Sequence, residues 1–223
     1  LIEEQRDTGL QSGHETKHLK IAITDDSLTC WFGKALDAKR QGENHPLLLD
    51  VTMYDLDHTI DLMRNGVVIA ALTSSKQPVY GFKSYRLGER RYRAVASPDF
   101  IARYFTEGVS PETISSAPSM RHSAEDSFCL QWLEQQFGTN PKLLCSQLPK
   151  LHLMIDMCVS GSGWTLLPEP MIIDHLKGGR LVELIPDTPL TKTIYWHIAH
   201  TMDEPFLHLT KIVRDGFPLS SNR

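Results

Sequence analysis

The sequence has few of the features that mark metal-binding, membrane or secreted proteins. Its four cysteines are scattered, with no C-x-x-C pair and no cysteine–histidine cluster, which argues against a zinc site and favours free thiols in a reducing compartment. No run approaches the roughly eighteen apolar residues of a membrane span. The N-terminal residues 1–18 lack the basic and apolar regions of a signal peptide. We therefore expect a cytoplasmic location.

The net charge and the absence of catalytic motifs argue against a nucleic-acid-binding module and against an enzyme. The formal net charge is −4, without the clustered lysine and arginine that a nucleic-acid-binding module needs. The chain has no G-x-S-x-G, no H-E-x-x-H and no ordered Ser/His/Asp set. We expect neither enzymatic activity nor a metal or cofactor. With 223 residues that are 41% hydrophobic, the chain is suited to two small lobes, each with its own core.

What is present is an alternation of strand and helix patterns over Leu19–Leu72. Short apolar runs separated by helical patterns predict a parallel sheet with crossover helices; the runs are LKIAIT, LLLDVTM and VVIAAL. Ligands of such sheets bind where the carboxyl ends of strands meet helix N-termini. The first such junction is Asp25-Asp26-Ser27, and we expect a small molecule there.

The remaining pattern predicts two lobes. An apolar stripe through Trp31 and Phe32 predicts a first helix that Ser27 can cap, and a second helix is predicted to end at Asn65-Gly66. Half-polar strands after Val79 lead into a second α/β unit, and the strand TIYWHIAH returns to the first. The predicted fold is α/β, with two Rossmann-like lobes joined by two crossovers. Its expected parts are a linker at 1–18, lobe I at 19–95 plus 192–223, and lobe II at 96–191.

The four cysteines fall within these predicted elements. Three occupy apolar faces of predicted helices and one a predicted strand; they are Cys30, Cys129, Cys158 and, in the strand, Cys145. We interpret all four as buried small hydrophobic residues.

Two interpretations remain open for Asp25-Asp26-Ser27. The residues can be an ordinary N-cap, since their side-chain oxygens satisfy free backbone N–H groups. Alternatively, Ser27 and the adjacent N–H groups hold a ligand carboxylate while Asp25 or Asp26 receives a cationic group. Two neighbouring carboxylates exceed what capping requires, so the surplus charge favours a cationic ligand.

Two later segments raise the same choice. Ser123 or Asp126 can cap the helix that begins near Phe128, with His122 a solvated loop residue. Alternatively, His122 and Asp126 face Asp26 across the cleft. The Gly161 and Gly163 loop before TLLPEP can bring backbone N–H groups to an anion, but a tight turn explains it better.

Taken together, these segments resemble the effector-binding domain of LysR-type transcriptional regulators, in particular the ArgP/LysG-like regulators of arginine and lysine export. The resemblance rests on the order and spacing of LKIAITDDSLTCWF, RNGVVIAAL, RHSAEDSFCLQWLEQQFG, GWTLLPEPMI, GRLVELIPDTPL and IYWH. It implies a fold like that of type II periplasmic binding proteins, without catalytic activity. It also implies a small effector between the lobes, with lysine or arginine as the expected one.

The resemblance further implies site residues and partners. It places ligand contacts at Asp26, Ser27, Thr73, Ser74, His122, Asp126 and the stretch from Gly161 through Gly163 to Trp164. The family's N-terminal winged helix-turn-helix is absent from this chain, so Leu1–His18 is expected to be the remnant of its linker helix. DNA binding would then belong to a longer parent protein, which is expected to form dimers or tetramers.

Two other functions are considered for this chain, and we also expect it to self-associate. The same fold also serves exported solute-binding proteins, and a small α/β enzyme is a third possibility that lacks an activated nucleophile. We expect side-by-side self-association, because the Trp31/Phe32 helix and the strand Leu47–Met53 carry more apolar surface than one lobe face can bury. In the family this edge meets the helix Ala124–Phe137 of a second copy.

Overall fold

The computed structural model describes residues 18–39, 48–200 and 204–218. The expected linker over residues 1–18 lies outside the described residues except for its last position, as does Leu47 of the predicted second strand.

The first part of the chain shows the predicted alternation of strands and helices. Its elements are β1 His18–Ile23, α1 Asp25–Ser27, a π-helical turn Leu28–Phe32, α2 Gly33–Lys39, β2 Leu48–Met53, α3 Thr59–Arg64, β3 Ala70–Thr73 and β4 Phe82–Ala96. The strands β2, β1 and β3 lie side by side and parallel. Asn65 follows the last residue of α3, and Gly66 adopts a left-handed backbone with φ of 66°, which confirms the predicted end of this helix.

The second part repeats the alternation and then returns. Its elements are α4 Pro98–Tyr104, α5 Pro111–Ser116, β5 Pro118–Arg121, α6 Phe128–Phe137, β6 Leu144–Gln147, α7 Leu151–Val159, β7 Thr165–Pro168, α8 Glu169–Lys177, β8 Val182–Glu183, β9 Leu190–Ala199 and α9 Glu204–Gly216. Strands β5 and β6 pair in parallel, and a bridge from Ser119 to Trp164 connects them to the region before β7.

Two long antiparallel strands join the lobes. The large sheet has the order β2-β1-β3-β9-β4-β7, with β8 paired to β4. Strand β9 pairs with β3 at its carboxyl end and with β4 along most of its length. The fold is therefore the two-lobed α/β arrangement with two crossovers that the sequence predicts. The residue ranges given above for the lobes stay predictions.

Apolar side chains pack on both faces of each half of the sheet. One cluster buries Trp31, Phe32 and Trp196 between the first helices, the sheet and α9. In the other lobe Trp132 and Trp164 are fully buried with ring centroids 6.0 Å apart. The Trp132 Nε1 donates to the Thr188 carbonyl at 2.7 Å, so the single hydrogen-bond donor of this buried indole is satisfied.

Some local expectations were wrong. The half-polar strands predicted after Val79, VYGFKSYRL and RYRAVAS, are a single strand, β4, with a register shift between Arg86 and Gly88. Ser27 does not cap the first helix, because it is the third residue of α1 and Thr24 holds the N-cap position. Cys145 is exposed and Cys30 is only half-buried, whereas Cys129 and Cys158 are buried. Among the described residues, no helix is long and apolar enough to cross a bilayer.

Candidate functional site

A cavity opens where the carboxyl ends of β1 and β2 face the segments that precede α6 and α7. Its volume is about 70 Å³, measured as space open to the centres of water molecules. One water needs about 10–15 Å³ by this measure, so the cavity suits a small polar metabolite. The lining residues are Thr24, Asp25, Asp26, Met53, Tyr54, Asp55, Leu56, Asp57, His58, Tyr92, His122, Glu125, Asp126, Ser127, Phe128, Leu151, Leu166 and Pro168.

The structure brings together four of the residues that the sequence singled out. Asp25, Asp26, His122 and Asp126 all line this cavity. Ser27 is buried beside it, with its hydroxyl 2.9 Å from that of Thr24. The two predicted segments therefore meet across the cleft.

The other predicted ligand residues lie outside the lining. Ser123 binds Asp55 through its hydroxyl, and Ser74 binds Asp57 in the same way. Thr73 is fully buried and its hydroxyl donates to the Ser75 carbonyl at 3.0 Å. A further set belongs to the packing of lobe II: the buried Trp164, Gly163 beside the Pro118 carbonyl, and Gly161 beside Ser97.

Asp26 is already paired with a buried arginine that the sequence analysis missed. Arg90 on β4 places its Nε 3.8 Å from Asp26 Oδ2, and both side chains are only 4–5% exposed. The Asp26 carboxylate also accepts a hydrogen bond from the Thr24 hydroxyl. The alternation of β4 could have revealed this residue, because Arg90 shares its strand face with the buried Tyr92, Ala94 and Ala96.

Asp55 and Asp25 of lobe I hold groups of lobe II. The His122 Nδ1 lies 3.7 Å from Asp55 Oδ1, and its Nε2 lies 4.0 Å from Asp25 Oδ2. The backbone N–H of Leu151, at the start of α7, donates to Asp25 Oδ2 at 3.2 Å. The hydrogen bond to Asp55 raises the pKa of His122, and the same bond lowers the pKa of Asp55. These contacts hold the two lobes together at the cavity.

This ion pair should make stability depend on pH in a defined window. The raised pKa of His122 contributes stability below about pH 6.5 that is lost as pH rises through its folded value, and the lowered pKa of Asp55 contributes stability above about pH 4. We expect His122→Gln to cost roughly 1 kcal/mol more at pH 5.5 than at pH 8.5 in urea denaturation. In an Asp55→Asn background this difference should shrink to the smaller contribution of the neighbouring Asp25 and Asp126; an undiminished difference would contradict the pairing with Asp55.

A second network connects the lobes beside the cavity. The Lys192 Nζ on β9 lies 3.1 Å from Asp57 Oδ2 and 2.5 Å from the Gln131 side-chain oxygen, and it lies over the ring of Phe128. Burial raises the pKa of Asp57, but the hydrogen bond from Ser74 and the Lys192 ammonium together outweigh burial and lower it. Asp57 is therefore held ionised by the protein's own cation.

Comparison with known proteins decides the family. The profile of the LysR substrate binding domain matches residues 12–215. The chain belongs to the LysR substrate-binding domain family. It is therefore a domain of the kind that binds an effector in LysR-type transcriptional regulators. Among its described residues, no group of three or more histidine, cysteine, aspartate or glutamate side chains is placed to hold a metal ion.

Curated relatives of this LysR-family chain are transcriptional regulators named ArgP. The ArgP of Pseudomonas fluorescens Pf-5 is 35% identical over 184 residues, which cover 81% of this chain and 60% of the relative. The ArgP of Pseudomonas aeruginosa PAO1 is 32% identical over 205 residues, covering 91% of this chain and 66% of the relative. The chain thus spans about three fifths to two thirds of the length of these relatives.

Solved structures agree with this family. The C-terminal domains of a LysR family protein from Agrobacterium tumefaciens superpose with a TM-score of 0.82 and 35% identity, covering 89% of this chain and 95% of that one. ArgP from Mycobacterium tuberculosis gives 0.82 and 27%, covering 92% and 69%. LysG from Corynebacterium glutamicum, solved with arginine bound as its effector, gives 0.77 and 27%, covering 89% and 67%.

Proposed function

We propose that this LysR-family domain senses a basic amino acid, arginine or lysine, in the cavity between its lobes. The observation that carries the proposal is the composition of the cavity wall: six carboxylates line it, and neither lysine nor arginine does so among the described residues. Opposite charge in a partly buried site favours a cationic ligand over neutral and acidic analogues. The arginine-bound LysG relative supports the same ligand class.

The proposal assigns distinct roles to the lining residues. Asp25, Asp55 and Asp126 would receive the amine or guanidinium of the ligand, with Tyr92 and Phe128 packing on its aliphatic part. Tyr92 is buried, and burial raises its pKa well above the usual value, so its neutral hydroxyl can donate a hydrogen bond. Ser27, Thr73, Ser74, Ser123, Gly161, Gly163 and Trp164 stay sequence-based proposals for ligand contacts.

The wider role follows from the family. We propose that the chain regulates transcription as part of a longer cytoplasmic protein in which a winged helix-turn-helix binds DNA. Dimers, or tetramers of the parent, are proposed as the assembly. We expected self-association because the Trp31/Phe32 helix and the second strand would carry excess apolar surface. The part of this reason that concerns the helix is wrong, since Trp31 and Phe32 are buried, but Val51 and Met53 on β2 are exposed. Self-association itself stays a prediction, which sedimentation at tens of micromolar protein tests.

A thermal-shift comparison tests the ligand class. Arginine or lysine at 100 times its dissociation constant is expected to stabilise the chain by about 2.7 kcal/mol, which raises the melting temperature by roughly 5–11 °C. Citrulline, the neutral isostere of arginine, and glutamate are the matched controls and should give little shift. A larger shift with either control than with arginine and lysine would refute the proposed ligand while leaving the family assignment intact.

A further inference from the structure

Tyr92 carries a hydroxyl that the protein leaves without a hydrogen-bond partner. The residue is only 5% exposed and lines the cavity, and its side chain makes no hydrogen bond with any described residue. Its oxygen is not among the fully enclosed polar atoms that lack a partner, so the hydroxyl opens into the cavity. Buried tyrosine hydroxyls usually have a partner. An unpartnered one at the cavity wall therefore indicates a ligand group that completes it.

The packing around Tyr92 fixes the position of this hydroxyl. On β4, Tyr92 pairs with Leu190 of β9 on one side and with Pro168 of β7 on the other. Its ring meets that of Phe128 edge-on, with the ring centroids 4.7 Å apart and an interplanar angle of 72°. A side chain held in this way loses little further conformational entropy when a ligand binds. Its hydroxyl is therefore suited to recognise one ligand group at one position.

A hydrogen-bond donor is the kind of group that the buried cavity wall otherwise lacks. Of the buried side chains that line it in the described part of the chain, only those of Thr24 and Tyr92 carry a donor, and the Thr24 hydroxyl already donates to Asp26. Carboxylate acceptors, by contrast, are abundant. The charged nitrogen groups of lysine and arginine only donate, so the α-carboxylate is the acceptor that such a ligand offers.

The charges around Tyr92 also suit a carboxylate better than a cationic group. Arg90 lies two residues earlier on the same face of β4, and its Nη2 is buried without a hydrogen-bond partner. Burial and then the charge of Asp26 raise the pKa of Tyr92, and Arg90 acts in the opposite direction. A cationic group placed here would meet Arg90 and find Asp26 already paired with it. The Tyr92 hydroxyl stays protonated and can donate.

We propose that the Tyr92 hydroxyl binds the α-carboxylate of the effector and so makes the cavity selective for basic amino acids over amines that lack a carboxylate. This inference rests on the proposed function, because it names the residue of the same site that recognises the second end of the ligand. The cationic end of the ligand lies toward Asp25, Asp55 and Asp126, as proposed above.

Tyr92→Phe tests the inference, because it removes the hydroxyl and keeps the ring. In calorimetry on the whole chain, arginine is expected to bind the variant about tenfold more weakly, as for the loss of a hydrogen bond to a charged group. Agmatine, which is arginine without its carboxylate, should bind the wild type and the variant alike; if it binds neither, the arginine result alone decides. An unchanged dissociation constant for arginine, or an equal loss with both compounds, overturns the inference. Absence of arginine and lysine binding to the wild type overturns the proposed function itself.

Stability without ligand separates a ligand contact from a structural role of the hydroxyl. Because the hydroxyl has no partner among the described residues, Tyr92→Phe should leave the melting temperature of the ligand-free chain unchanged or slightly raised. The matched control is Tyr85→Phe, the same change on β4 outside the cavity lining, which should leave the affinity for arginine unchanged. A melting temperature of Tyr92→Phe that falls by several degrees would show that the hydroxyl serves the fold, and it would overturn the inference.

Discussion

Asp26→Ala is expected to lower the free energy of unfolding by about 3–5 kcal/mol, because it leaves the buried guanidinium of Arg90 without its carboxylate. One Arg90 nitrogen, Nη2, is already buried without a hydrogen-bond partner, so the protein has little to offer the freed charge. Urea denaturation of the wild type and the variant measures the loss. A residue that merely caps a helix would cost only about 1 kcal/mol when replaced.

Two further variants separate the buried pair from a general effect of the substitution. Asp26→Ala combined with Arg90→Met removes both charges and should recover most of the lost stability, since an apolar replacement of a buried pair is often nearly neutral. Asp61→Ala breaks an exposed pair with Arg64 and should change stability by less than about 0.5 kcal/mol. A double variant no more stable than Asp26→Ala alone would show that the arginine is not the cause.

Gly216→Ala is expected to destabilise the chain by about 1–3 kcal/mol through overpacking. A Cβ on Gly216, at the end of α9, would lie 2.3 Å from the Ala35 Cβ and 3.5 Å from its Cα. Ala35 is carried rigidly by α2, so the two helices would have to move apart. Thermal or urea denaturation measures the effect.

The local geometry supplies matched controls for this glycine. Gly33→Ala places a methyl on an exposed helical position whose nearest heavy atom is 3.8 Å away, and it should stabilise by roughly 0.5–1 kcal/mol. Ala35→Gly in the Gly216→Ala background removes the Ala35 methyl group that the new Cβ would meet. This double variant should recover part of the lost free energy of unfolding. If that double variant were less stable than Gly216→Ala alone, close approach would not explain the glycine.

Sequence patterns predicted the order of elements well where apolar runs were strong. Strands β1 and β3 of lobe I are largely buried, because period and apolarity agree there, whereas β2 is mostly exposed at the edge of the sheet. The pattern was less informative at Asp55 and Asp57. Both precede α3, which begins at Thr59, and both carboxylates line the cavity, a role that no local pattern indicates.

The site was only half predictable, for a physical reason. Asp25, Asp26, His122 and Asp126 follow strands or precede helices, and the carboxyl ends of parallel strands gather such residues at one edge. Arg90 and Lys192 come from the two long crossing strands, far along the chain from the carboxylates that they neutralise. Which charge pairs with which depends on the register of β4 against β9, and no local pattern encodes that register.

The pairing of β4 with β9 also limits how the lobes can move. Their ladder runs from Phe82 opposite Ala199 to Tyr92 opposite Leu190, and its register shifts only between Arg86 and Gly88. Moving the lobes apart as rigid bodies would break hydrogen bonds along this two-stranded ribbon of β4 and β9. A change in the twist of the ribbon would keep nearly all of them. A bulge bends its strand and increases the local twist of the strand pair. We therefore expect any effector-induced change in the angle between the lobes to appear as a change in the twist of this shared ribbon, concentrated at the Arg86–Gly88 irregularity.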